Sequence, residues 1–287
     1  MRSSRCHRLP VVGCMLALAC SLVLAGCGDS GSSKSLTVAG STTVLPIAEM
    51  AAEGYEEQTG TKVLVSGLGS SAGIEAVTNG TADIATSSRN LTEEESSHEL
   101  VATVIAHDGI AVIVNPDNRV DNLTTDQLRD IYAGKITNWS EVGGEDLPIQ
   151  VVNRDEASGT REAFRTLVMD GTEFDRSAAV LPGTGQVRDV VSRTPGAIGY
   201  ISIGFVDSDY ATTTVKSLTI DGVEANEDNV ESGAYPISRD LYFFTNGDPQ
   251  GEAYGYISYV LSDDMDQVIR DAGYIPAHKS ASTDEGK

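Results

Sequence analysis

Four strand ends in this chain run into short clusters of glycine, serine and threonine, and that recurrence limits the fold more than any other feature. Three clusters open helices: Gly40-Ser41-Thr42-Thr43, Gly67-Leu68-Gly69-Ser70-Ser71 and Ala157-Ser158-Gly159-Thr160. The fourth, Thr86-Ser87-Ser88-Arg89, ends a strand ahead of a capped segment. Between the clusters, short β-rich runs alternate with segments of helical periodicity. Residues 35–39, 62–66, 82–86, 101–106, 110–115, 149–153, 197–203 and 239–245 read as strands. Residues 44–58, 72–79, 125–133, 158–169, 186–192, 251–261 and 265–272 read as helices, and a polar helix is expected after Thr92. Thr92 to Glu95 and Thr124 to Gln127 carry helix-capping patterns. This alternation predicts an α/β protein with largely parallel sheets.

The clusters have a chemistry in common. Free N–H groups at a helix start, backed by the positive end of the helix dipole, attract anions. Hydroxyls add donors, and glycine lets the backbone approach closely. One such cluster is an ordinary cap or turn. Four of them, at strand ends that face one crevice of an open α/β sheet, predict an anion-binding cleft.

Four segments then carry a family resemblance: Gly40-Ser41-Thr42-Thr43, Gly69-Ser70-Ser71-Ala72-Gly73, Ser87-Ser88-Arg89, and Arg154 followed at four residues by Ser158-Gly159-Thr160-Arg161. With Ala106-His107-Asp108-Gly109 and Ala197-Ile198-Gly199-Tyr200, they resemble the phosphate-binding proteins of ABC-type phosphate importers over residues 36–276. The resemblance implies a two-lobe periplasmic-binding-protein-like fold of type II, with a hinge and an inter-lobe ligand cleft. It assigns residues 36–113 plus 214–287 to lobe one and 114–213 to lobe two. Asn115-Pro116 is the strong local boundary signal. It implies a phosphate site drawn from Ser41, Thr42, Thr43, Ser70, Ser88, Arg89, Asp108, Arg154, Ser158, Gly159 and Thr160, with Arg154 as the main cation.

One departure stands out. Well-studied members have a carboxylate in the third loop that accepts the ligand's proton and excludes sulfate. Here Ser88 occupies that place and Arg89 follows, as in the shorter branch of the family. Asp108 is read either as a replacement acceptor or as the acid of an ordinary Asp-Gly turn. Arg89 either meets the ligand or neutralises a nearby acid, and Arg161 is expected to pair with Asp155 or Glu156.

The first residues form an address. Arg2, Arg5, His7 and Arg8 precede a 15-residue apolar run at 11–25, shorter than the ~20 residues of a membrane-spanning helix. Residues 1–26 read as a signal peptide, and Leu24-Ala25-Gly26-Cys27 resembles a bacterial lipobox. Of Cys6, Cys14, Cys20 and Cys27, only the last survives such cleavage, so no intramolecular disulfide is possible. Residues 27–35 form a Gly/Ser-rich tether behind a lipidated, palmitate-bearing Cys27. The expected location is the extracytoplasmic face of the cell membrane.

Charge excludes another class. The chain has 20 Lys+Arg against 42 Asp+Glu, a net charge of −22. Cleavage before Cys27 leaves 17 basic and 42 acidic side chains, so nucleic acid is not an expected partner. Four scattered histidines give no metal-ligand spacing, and no cofactor is expected. The partners implied are inorganic phosphate and the permease subunits of an ABC transporter, with the protein itself monomeric. The alternatives are another oxyanion, sulfate or molybdate, and a serine hydrolase. Gly69-Ser70-Ser71-Ala72-Gly73 formally matches Gly-x-Ser-x-Gly, with His98, His107 and His278 as possible bases.

Overall fold

The computed structural model describes residues 35–206 and 214–277. Cys27, the signal segment, His278 and nearly all of the expected tether lie outside the described residues. The strands and helices, in chain order, are β1 (Ser35–Gly40), α1 (Leu45–Thr59), β2 (Lys62–Gly67), α2 (Ser70–Thr78), β3 (Ile84–Ser87), β4 (Leu100–Val114), β5 (Asn122–Leu123) and α3 (Thr125–Tyr132). They continue as β6 (Gln150–Arg154), α4 (Gly159–Phe164), β7 (Ala179–Leu181), α5 (Thr184–Arg193), β8 (Ala197–Ser202), β9 (Lys216–Ser217) and β10 (Thr219–Ile220). The last elements are α6 (Glu227–Glu231), β11 (Ser238–Asn246), α7 (Gly251–Val260), α8 (Asp263–Asp271) and β12 (Ile275–Pro276). The fold is mixed α/β, as expected.

The main sheet runs in the order β2-β1-β3-β11-β4-β8-β6-β7, with β9 and β12 also paired to β4. Its flanks are parallel: β1 pairs with β2 and β3, and β6 with β7 and β8. Its centre is antiparallel, where β11 lies between β3 and β4, and β4 meets β8. The parallel pairing puts the C-terminal ends of β1, β2 and β3 on one edge, and likewise those of β6, β7 and β8, the placement expected for a site at strand C-termini.

Two large apolar cores sit on this sheet, with a smaller cluster of Ile74, Val77, Ala85, Tyr242 and Phe244 beside them. The first gathers Leu36, Val38, Ile47, Ile84, Ala106, Leu241, Phe243, Tyr256 and Tyr274 among others. The second gathers Ile110 to Val114, Trp139, Phe164, Ile198, Tyr200 and Ile237. Residues 214–237, expected with the first lobe, pack instead with the second core through Val215, Leu218, Ile220, Val230, Tyr235 and Ile237. The reason is pairing: β9 joins the far end of β4 at Ile113 and Val114, and β10 joins β5. The chain re-enters the first core only along β11.

A second expectation is corrected at the centre. Residues 101–106 and 110–115 do not form two strands about an Asp-Gly turn. They are one strand of 15 residues, β4, about 50 Å long at the usual rise. His107, Asp108 and Gly109 stay extended because they pair with Asp240, Arg239 and Ser238 of β11. β4 therefore runs through both cores, with Ala106 in the first and Ile110 in the second. The polar helix expected after Thr92 also shrinks. Its reciprocal Thr92–Glu95 capping bonds form, but only one 3₁₀ turn at Glu95–Ser97 follows. A segment with no apolar face gains no packing to extend it.

Candidate anion site

The glycine clusters converge. Gly40-Ser41-Thr42-Thr43 links β1 to α1, and Ser41 Oγ accepts from the Thr43 amide at 3.2 Å, so this serine shapes the loop. The loop presents Thr42 and Thr43 to the second core. Thr42 Oγ1 lies 3.0 Å from Thr184 Oγ1, and Thr43 Oγ1 lies 3.1 Å from Thr160 Oγ1. Ser70, first residue of α2, accepts from the Ser88 amide at 3.1 Å. Gly159 faces these serines so closely that a Cβ there would collide with both hydroxyls. Gly69, at φ 98°, brings its backbone against Ala157, where the Ser71 amide donates to the Ala157 carbonyl at 3.2 Å. Ser158 caps α4 by accepting from the Arg161 amide at 3.2 Å. Thr42, Thr43, Ser70, Ser88, Gly159, Thr160 and Thr184 thus form one hydroxyl-rich cluster drawn from both cores.

Arg154 enters the cluster from the end of β6 and is only 2% exposed. Its Nε donates to the Leu181 carbonyl at 3.1 Å and its Nη2 to the Pro182 carbonyl at 2.8 Å. Nη1 donates to Thr184 Oγ1 at 3.2 Å, and Nη2 to Thr42 Oγ1 at 3.3 Å. Among the described residues no carboxylate forms an ion pair with it. Burial pulls its guanidinium below the ordinary arginine value, although an arginine in a protein remains a cation. Behind it, Tyr200 hydrogen-bonds to Asn153, whose Oδ1 also accepts from the Arg154 amide at 2.8 Å. A buried cation with only neutral partners costs several kcal/mol, which an incoming anion offsets.

The chemistry matches known proteins. A family model described as the PBP superfamily domain matches residues 27–264. The chain belongs to the PBP superfamily. It is similar to the phosphate-binding protein PstS of Bacillus subtilis (strain 168), 34% identical over 281 residues, covering 91% of this chain and 92% of that one. The PstS of Borreliella burgdorferi is 30% identical over 266 residues, covering 88% and 94%. A crystal structure from Clostridium perfringens, described as a phosphate ABC transporter substrate-binding protein with bound phosphate, superposes with a TM-score of 0.80. It is 35% identical, covering 85% of this chain and 99% of that one. An ABC-type phosphate transport receptor from Vibrio cholerae gives a TM-score of 0.70 at 37% identity, covering 84% and 99%. The family is one of transport proteins, not of enzymes.

Within this PBP superfamily member the remaining candidates sort by their partners. Arg89 turns to Glu95, with Nη1 to Oε2 at 2.7 Å and Nη2 to Oε1 at 2.8 Å, and Nη2 also reaches Ser71 Oγ at 3.0 Å. Arg161 pairs with Glu156 at 2.8 Å and lies over the Phe174 ring. Asp108, fully buried on β4, is neither in a turn nor directed at the hydroxyls. Its Oδ2 accepts from Arg239 Nη2 at 2.7 Å and Nε at 3.0 Å, and its Oδ1 accepts from Ser202 Oγ at 2.6 Å. Burial pushes its carboxyl up, against the downward pull of Arg239 and Ser202. Among the described residues the hydrolase reading finds no base: the Ser70 hydroxyl meets Ser88, while His107 Nδ1 bonds Asp240 at 2.6 Å.

One cluster residue, Thr184, and one residue that touches the cluster, Arg239, escaped sequence reasoning. Thr184 opens α5 after Leu181-Pro182-Gly183, a fifth strand–glycine–threonine–helix junction of the same type. Arg239 heads an apolar strand, where a buried charge requires a partner from another buried strand.

Proposed function

We propose that the protein captures inorganic phosphate between its two cores and delivers it to the permease of an ABC importer. The observation that carries this reading is Arg154: a buried guanidinium, without a carboxylate partner among the described residues, bonded to Thr42 of the first loop and to Thr184 at the start of α5 within the hydroxyl cluster. The PstS relatives and the phosphate-bound neighbour support phosphate as the anion. In this reading Thr42, Thr43, Ser70, Ser88, Gly159, Thr160 and Thr184 supply hydroxyl and backbone donors. Ser41 and Ser158 shape the loops, and Arg89 fixes the third loop through Glu95. Dehydration of the anion strengthens each charge-assisted bond, and the Debye length of ~8 Å leaves the acidic surface with little influence inside the closed cluster.

The two cores act as lobes, joined where β4 and β11 pass between them. The mature chain begins at an acylated Cys27, the residue at which the family match also begins. It works as a monomer on the outer face of the cell membrane. Calorimetry of the purified protein with phosphate, sulfate and molybdate tests the ligand: phosphate should bind far more tightly than the other two, and a preference for sulfate or molybdate would overturn the reading. Mass spectrometry of the membrane-derived protein should find a lipid-bearing N-terminal cysteine.

A further inference from the structure

We propose that Arg239 is a second cation contacting the bound anion, and that Asp108 is the positioning residue that holds it there. The proposal rests on the phosphate reading and adds a residue outside the four glycine clusters. Arg239 and Asp108 stand opposite one another in the β11–β4 register. That register point is where both strands change core: Ala106 and Leu241 lie in the first, Ile110 and Ile237 in the second.

The guanidinium is fully directed. Nε and one Nη2 hydrogen go to Asp108; the other Nη2 hydrogen points to Thr43 Oγ1 at 3.4 Å. Nη1 donates to the Ser88 carbonyl at 3.2 Å. These bonds use four of the five arginine N–H groups. Thr43 Oγ1 is the hydroxyl that meets Thr160 and Thr184 of the second core, and Ser88 is the third-loop member of the cluster. Arg239 therefore faces the hydroxyl cluster from the first core, whereas Arg154 enters it beside α4 and α5.

Stability alone does not explain the pair. A buried ion pair is on average no more stabilising than well-packed apolar residues of similar volume. The β4–β11 crossover lies between two apolar cores, with Ala106 and Leu241 in one and Ile110 and Ile237 in the other. Charge bookkeeping gives the pair a role: Asp108 cancels Arg239, so the site presents about one net positive charge, from Arg154, but two sets of guanidinium donors. An oxyanion with a single charge suits that balance better than an obligate dianion such as sulfate. Asp108 acts on this selectivity through Arg239, since its own oxygens are occupied by Arg239 and Ser202.

The test is calorimetry on the purified protein with phosphate and sulfate at fixed pH and salt, beside a thermal melt. Arg239→Gln combined with Asp108→Asn keeps the crossover neutral and hydrogen-bonded, and should weaken phosphate binding about ten- to a hundredfold. Asp108→Asn alone leaves Arg239 uncancelled and should shift the phosphate-to-sulfate affinity ratio toward sulfate by several-fold. A purely structural Asp108 would lower both affinities together and leave the ratio unchanged, which overturns its role. Phosphate affinity within about twofold of wild type in the folded double variant overturns the Arg239 contact. If the double variant melts before binding is measurable, Arg239→Lys serves, because an ammonium pairs with Asp108 but cannot also span Thr43 and Ser88. It should weaken phosphate about tenfold, and an unchanged affinity overturns the proposal. Failure of the wild type itself to bind phosphate would instead overturn the proposed function.

Discussion

Arg154 and Arg239 are both buried guanidiniums that reach the same threonine cluster, Arg154 through Thr42 and Thr184 and Arg239 through Thr43, yet only one of them has a carboxylate beside it. Arg239 meets the Asp108 carboxylate at 2.7 Å, while Arg154 meets two carbonyls and two hydroxyls. The first arrangement is complete within the protein. The second leaves a desolvated charge whose neutralisation must come from elsewhere. The comparison teaches that burial alone says little about an arginine: with a carboxylate beside it the charge is cancelled within the protein, and without one the cancelling charge must come from an anion.

The largest expected effect breaks the complete pair. Asp108→Ala strands Arg239 as an uncompensated buried charge and should cost about 3–5 kcal/mol of stability, read by denaturant melts of the ligand-free protein. Arg154→Ala removes a charge with no carboxylate partner among the described residues, so its melt should move far less. Equal losses in the two variants would erase the distinction between the regions. Binding should order them the other way. Arg154→Ala should weaken phosphate by about one to two decades, the worth of one charge-assisted contact. Arg154→Lys should recover only part of this, since an ammonium lacks the planar fork.

How much of this was legible in the sequence follows from how local each signal is. Helix α1 was placed within a residue at each end, because Pro46 near its start and Gly60 at its left-handed C-cap are local signals. The Thr124–Gln127 capping box was equally readable and forms as written. Most of the hydroxyl cluster was readable because Thr42, Thr43, Ser70 and Thr160 sit at strand–helix junctions that carry a glycine. The Asp108–Arg239 pair was not, because 131 residues separate its members and no turn or period links them. Asp108-Gly109 looked like a turn, a reading that holds only when no neighbouring strand claims the backbone. Here β11 claims it, and the strand is held on either side of it where β12 pairs with Ala106 and His107 and β8 pairs from Ile110 onward. The passage of residues 214–237 into the second core was hidden for the same reason, since it depends on β9 finding the end of β4.

A smaller effect sharpens the comparison with a pair of intermediate exposure. Glu95 is pushed up by burial, but the bonds from Arg89 and from Thr92 outweigh that and hold its carboxyl below the ordinary value of 4.5. A carboxylate with a lowered folded-state value contributes stability that is present above its unfolded value and lost as pH falls through the folded one. The wild type should therefore lose this contribution below about pH 4.5, and Glu95→Gln should show a shallower acid limb over the same range. The contribution is less than about 1 kcal/mol, because the pair is partly screened by solvent. Denaturant melts between neutral and acidic pH measure it, and identical acid limbs would remove Glu95 from the account of the third loop.

The smallest effect is expected at Arg119, which meets Glu145 at 2.9 Å with side chains 77% and 55% exposed. Its distance to the carboxylate is close to that of Arg239 to Asp108, so geometry alone would rank the two pairs together. Burial separates them. In water the Coulomb gain is small, salt screens it, and ordering two long side chains offsets most of the remainder. Arg119→Ala should change stability by less than about 0.5 kcal/mol and leave phosphate affinity at the wild-type value. Raising the salt concentration should make even that difference vanish, whereas the loss in Asp108→Ala should persist, because its charge is stranded where ions do not reach. A loss at Arg119 as large as that at Asp108 would mean that pairing distance, not burial, governs these arginines, and the contrast between Arg154 and Arg239 would have to be rebuilt on other grounds.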